Sequence, residues 1–310
     1  MVTALINFHA FPRWLSFVLS GAALFGFYML EQLFPKMGLW LFLGLTLTLG
    51  MGHGALDAVI LLGQFKPLPR AITVGFLYLL LTLFSGWMLS LSFSWAVIAL
   101  LLMSIWHFGE KYSQNMMLRM VTGGVSLMAP ALLQNPSLRD LLQGVTTQNF
   151  QSLLVVWTSL AWIWAALLGV VMVMFLKKGL VRGVGSDKQD SQISGAMLEI
   201  SIVFCMNLVL SPLLQFALYF GVFHCTSHIV RLQRAVLRHQ IFPLKNMIFT
   251  GTAVMLLTAI LMFGLWQWLA FAGEVASQVD AQILQWLVTA LGAVTVPHLL
   301  LIGYSRRWLG

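Results

Sequence analysis

Ten stretches of this chain are apolar for close to twenty residues each, about the length an α-helix needs to cross the hydrocarbon of a bilayer. They fall at roughly residues 13 to 33, 38 to 63, 70 to 91, 93 to 112, 116 to 134, 151 to 176, 197 to 211, 213 to 233, 247 to 270 and 281 to 305. In lipid every backbone N–H and C=O must find its partner inside the protein, and a continuous apolar run does this only as a helix. The charge content agrees: 60% of the 310 residues are hydrophobic and 8% charged, against roughly 25% charged in an ordinary soluble domain. The expected fold is all-α, a polytopic membrane helix bundle forming one domain over residues 1–310, with about ten (eight to ten) transmembrane helices. The run Trp14 to Leu30 is read as the first of these helices rather than as a cleaved signal. Two of the ten are weak: the fifth holds Gly123-Gly124 and Pro130, and the seventh is parted from the eighth only by Ser211-Pro212. The polar stretch Lys177 to Ser194 is expected to be a surface loop.

The formal charge of +8 does not point to nucleic acid, because the basic residues sit at the ends of apolar runs instead of on one soluble face. With the N-terminus in the cytoplasm, fifteen of the seventeen Lys and Arg fall on the cytoplasmic side, leaving Lys36 and Arg139 outside. This bias sets the expected orientation, both termini cytoplasmic, in the cell (inner) membrane. Dropping one central helix would invert every later loop and lose it. Cys205 and Cys225 both lie within apolar runs, so neither a disulfide framework nor a thiolate metal motif is expected.

Five histidines lie within the apolar runs: His53, His107, His224, His228 and His298. All are on even-numbered helices, which run the same way across the membrane. Each is about 11 to 17 residues from the start of its helix, a slab about 9 Å thick at 1.5 Å per residue. His224 and His228 are four residues apart, hence on one face of a helix. Buried imidazoles are costly in hydrocarbon unless they meet a partner, a cavity or a metal. Five at one depth on four helices favour a bound metal, and a shell built mainly of imidazole suits iron, copper or zinc. His9 and His239 lie in polar ends and read as ordinary surface residues.

Two carboxylates stand near this set. Asp57, one turn after His53, is placed to hydrogen-bond the second nitrogen of that imidazole and fix its tautomer. Glu110, three residues after His107, can do the same there, or can pair with Lys111 or Arg119. Gly52 and Gly54 flank His53 and Gly109 follows His107, giving close helix approach or open space beside a ligand. Pro297 before His298 frees a carbonyl and bends the last helix. Trp106, Phe108, Phe220 and Phe223 could line a cavity for a flat apolar substrate.

Four segments in order, Gly52-His-Gly-Ala-Leu-Asp57, Trp106-His-Phe-Gly-Glu110, Phe223-His-Cys-Thr-Ser-His228 and Val296-Pro-His298, resemble the Brp/Blh family of membrane β-carotene 15,15'-dioxygenases. The resemblance implies an iron(II) enzyme that uses O2 to split the central double bond of β-carotene, drawn from the membrane lipid, into two molecules of retinal. It implies a functional link to a retinal-binding rhodopsin. Carried over by motif, the iron ligands would be His53, His107, His224 and His228, with Asp57, Glu110 and His298 as further functional residues. The chain departs from the family pattern at Phe223, Cys225-Thr226 and Ala58, differences that leave the ligands intact and bear on which carotenoid fits.

Two other classes stay open on the residues alone. A haem protein with two axial histidines, or a metal or proton transporter, also places imidazoles in the membrane. A transporter should show a more polar pathway than this chain offers. A di-iron membrane desaturase needs about eight histidines, more than the five buried here.

Overall fold

The computed structural model of the chain describes residues 13–34, 37–112, 115–145, 150–182, 188–231 and 279–309, with isolated positions at 249, 252, 253, 256 and 260. Among the described residues the fold is all-α, with no strand. Helix α1 (Arg13–Leu33) is followed by α2 (Met37–Leu45), which passes through a π turn (Thr46–Gly50) into α3 (Met51–Gln64). Then come α4 (Leu68–Ser90), α5 (Phe93–Phe108) closing in a 3-10 turn (Gly109–Tyr112), α6 (Met116–Leu132) and α7 (Pro136–Val145). The chain continues with α8 (Phe150–Arg182), α9 (Lys188–Val209), α10 (Pro212–Leu218) with a π turn (Tyr219–Cys225), and α11 (Val279–Leu309).

Among the described residues, four segments are long and apolar enough to cross a bilayer: Leu68–Ser90, Phe150–Lys177, Pro212–Arg231 and Val288–Ser305. A fifth arises if α6 and α7, bent by 89°, make one broken span, and Met37–Gly50 and Ile193–Val209 are apolar but shorter. Ten separate crossings are more than the described helices display. The helix expected over 247 to 270 lies almost wholly outside the described residues. The expected loop from Lys177 to Ser194 is mostly helix, since α8 runs on to Arg182 and α9 starts at Lys188. Lys, Arg and Gln are good helix formers, so a polar composition does not by itself mark coil.

The run that Gly123-Gly124 and Pro130 made doubtful turns out to be deeply buried. Nearly every residue of α6 from Leu118 to Ala131 is buried, packed by α5, α8 and α9, whereas α4 is almost wholly unburied. A helix surrounded by protein needs small surfaces for close approach, not lipid-soluble ones. A Cβ on Gly123 would lie 2.0 Å from the Ile105 carbonyl oxygen, and one on Gly109 would lie 1.8 Å from the Arg119 carbonyl oxygen. The two backbones therefore touch on either side of His107 and fix its height. Arg119 is buried, donates from Nε to the Trp106 carbonyl at 2.8 Å, and lies 3.7 Å over the Trp106 ring. It secures the end of α5 instead of serving as a loop charge.

The elbow after α6 is built locally. Gln134 takes a left-handed conformation (φ 50°), Asn135 accepts from the Ser137 N–H at 2.9 Å, and Pro136 opens α7, where its missing N–H costs nothing. At the same end of the bundle Glu31 of α1 accepts from the Ser211 N–H at 3.1 Å and from the Ser211 hydroxyl. Ser211 caps α10 in turn, through Leu214 N, and a carboxylate there also suits the positive end of the helix dipole. These contacts seat the helix that carries the paired histidines.

Candidate metal centre

Four of the five membrane histidines come together. His107 is at the end of α5, His224 in the π turn of α10, His228 in the turn after it, and His298 in α11 behind Pro297. All four are buried. Ring centroids are 4.7 Å apart for His107 and His224, 4.8 Å for His107 and His298, 5.7 Å for His228 and His298, and 6.0 Å for His107 and His228. His224 and His228 are 6.3 Å apart on one helix face. His53 has its backbone in the first turn of α3, and its side chain lies outside the described residues, as do His9 and His239.

Three of the four imidazoles have a charged group behind them. His298 Nδ1 lies 2.9 and 2.8 Å from the two oxygens of Asp57, and the Tyr78 hydroxyl donates to Asp57 Oδ2 at 2.7 Å. Asp57 is buried, so this carboxylate is compensated by two donors from α4 and α11. A carboxylate can only accept, so the His298 proton sits on Nδ1, and Nε2 keeps its lone pair. Asp57 thus backs His298, a partner beyond the expected His53, whose side chain lies outside the described residues. Spacing within one helix identified the carboxylate but not the partner that a second helix delivers.

On the other flank, Glu110 Oε2 is 3.7 Å from His107 Nδ1 and 3.5 Å from Arg231 Nη2. Lys111 pairs instead with Glu199 at 3.4 Å. Glu110 therefore faces the histidines, and neither Lys111 nor Arg119 takes it. Arg231 also reaches His228, with Nη2 3.1 Å from Nδ1. A guanidinium only donates, so in this pose the proton of neutral His228 is on Nε2. Ligation through Nε2 requires that proton on Nδ1, with Arg231 turned to Glu110 alone.

The donor set suits a metal of the imidazole-binding kind. His107 Nε2 and His224 Nε2 face each other at 3.1 Å, and two nitrogens on one ion, at right angles and about 2.1 Å from it, lie about 3.0 Å apart. Among the described residues no three His, Cys, Asp or Glu side chains are drawn up as a finished coordination shell. The fit thus rests on donor chemistry and on this one pair.

An apolar cavity of about 210 Å³ opens beside the cluster, with His107 and His298 in its wall. Phe108 and Phe220 line it, as does Gly54, whose missing side chain leaves open space. Trp106 and Phe223 are not in the lining; both are partly exposed. Tyr78, Arg231 and Arg119 are contributors that pattern reading missed. Tyr78 had one sign, a phenol amid the leucines of α4, and the two arginines looked like ordinary charges at helix ends.

No protein of curated function and no solved structure matches this chain. Residues 44–304, from the end of α2 to within α11, match the family model described as Beta-carotene 15,15'-dioxygenase, and the chain belongs to that family.

Proposed function

We propose that this protein is a non-haem iron(II) dioxygenase of the cell membrane that takes β-carotene, or a related carotenoid, from the bilayer and splits its central 15,15' double bond. O2 supplies one oxygen atom to each carbon, giving two molecules of retinal, the chromophore that a rhodopsin would take up. The observation that carries this reading is a cluster of buried imidazoles at an apolar cavity, inside the segment that matches the family. His53, His107, His224 and His228 would hold the iron, with His298 beside them, oriented by Asp57. Bound there, iron supplies the activation of O2.

The protein's own part is placement and exclusion of water. At about 210 Å³ the cavity is below the roughly 300 Å³ of common ligand sites, so it seats one arm of a long substrate. The distance from its far end to the histidines would then select the bond that is cut. Expression in a β-carotene-producing bacterium should yield retinal, and the purified protein should carry one non-haem iron. A Soret band with no retinal would replace this reading with a haem protein. For orientation, a reporter fused to the C-terminus should read cytoplasmic; an external signal would break the arrangement with both termini inside.

A further inference from the structure

One face of α5 forms a wall of the cavity. Val97, Leu101, Ser104, His107 and Phe108 all line it, and their spacings of three and four are those of residues stacked on a single helix face. Ser104 is the one hydroxyl in this stripe. It stands one turn before His107, about 4.5 Å along the helix axis.

Ser104 is buried, with 6% of its surface exposed, yet it makes no hydrogen bond among the described residues. Its oxygen is not sealed off from the cavity. The other hydroxyls in the wall are engaged: Thr295 donates to the Leu291 carbonyl at 2.6 Å, and Ser126 accepts from Gln215 Nε2 at 3.2 Å. A buried hydroxyl left unmatched costs stability, and alanine, smaller and a better helix former, would avoid that cost. A wall built only to hold a hydrocarbon has no use for this group.

Under the carotenoid reading above, on which this inference rests, neither reactant has much use for it either. β-Carotene offers no hydrogen-bonding group, and O2 is a weak acceptor. Cleavage changes the situation, because each new end is an aldehyde, and an aldehyde oxygen left in hydrocarbon lacks the hydrogen bonds that water would give it. The bond is split beside the histidines. With an O–H···O reach of about 2.7 Å, a hydroxyl one turn from His107 stands close to where one of the two oxygens appears.

We propose that the Ser104 hydroxyl donates a hydrogen bond to the aldehyde oxygen of a newly formed retinal, so that this cavity holds the cleaved product more tightly than a hydrocarbon of the same shape. A carbonyl only accepts, so the serine is necessarily the donor.

The test uses the full-length protein in detergent, wild type and Ser104→Ala, with two probes: all-trans-retinal, and the hydrocarbon in which a methyl group replaces its aldehyde. Binding, followed by quenching of tryptophan fluorescence, should weaken about 3-fold to 10-fold for retinal in Ser104→Ala, the loss of one neutral hydrogen bond. Binding of the hydrocarbon should not change. The C=O stretch of bound retinal, read by infrared difference spectroscopy, should lie lower in wild type than in Ser104→Ala, since an accepted hydrogen bond weakens the carbonyl bond. Equal effects on both probes, an identical stretch in the two proteins, or failure of wild type to bind retinal overturns the contact; if wild type still forms retinal from β-carotene, the dioxygenase reading survives it. An aldehyde preference that Ser104→Ala loses, with no retinal formed from β-carotene by wild type, keeps the contact and overturns the dioxygenase reading instead.

Discussion

A His224→Ala protein is expected to purify without iron and to form no retinal, a loss of well over 100-fold. His224 is the imidazole whose Nε2 lies 3.1 Å from His107 Nε2, so its removal takes away half of the pair whose spacing suits two ligands of one ion. Changing a residue that only supports a ligand typically costs about 10-fold to 100-fold in affinity or activity, and a ligand itself should cost more. Its ring also packs against Phe108, with centroids 4.5 Å apart, and stacks on Phe220, so a void would follow as well. His224→Gln keeps more of the volume and should lose iron all the same. His107→Ala, His228→Ala and His53→Ala are expected to behave alike, while His9→Ala and His239→Ala should keep iron and activity. Full iron content in purified His224→Ala would remove His224 from the ligand set, whatever happened to turnover.

The helical class and the gathering of His107, His224, His228 and His298 could be read from the sequence because both depend on local regularities. Apolar length reports helices in lipid, and a spacing of four reports a shared helix face. What escaped was what depends on the surroundings. The run of α6, enclosed by protein, looked doubtful because of the same glycines that let it pack. The π turns at Thr46–Gly50 and Tyr219–Cys225 left no sign in the apolar pattern, although each lies at or just before a histidine of the set and such turns are frequent at functional sites. Asp57 and Glu110 were identified as groups that need partners. The partners themselves, Tyr78 and His298 for one and Arg231 for the other, are fixed by helix packing, which spacing along a single helix does not encode.

Asp57→Asn is expected to keep measurable iron and lose about 10-fold to 100-fold in turnover, the range for a residue that orients a metal-site histidine. The carboxylate accepts from the Tyr78 hydroxyl at 2.7 Å and faces His298 Nδ1 at 2.8 Å. Both partners can donate, and two acceptor oxygens meet both. An asparagine amide keeps one acceptor and turns an N–H toward the other donor, so either Tyr78 or His298 loses its bond. If His298 loses it, the ring is free to move its proton to Nε2, which removes the lone pair that faces the cluster. Tyr78→Phe takes away only one donor and leaves Asp57 on His298, so its cost should stay within about 10-fold. A change in the ligand-field or electron paramagnetic resonance signature of the iron in Asp57→Asn, absent from Tyr78→Phe, would separate orientation of His298 from general packing. Asp57→Glu, which restores the charge at a shifted position, should recover part of the turnover. If Asp57→Asn instead matches wild type in iron, spectrum and turnover, the contact between Asp57 and His298 only joins α3 to α11, and the site depends on its histidines without help from this carboxylate.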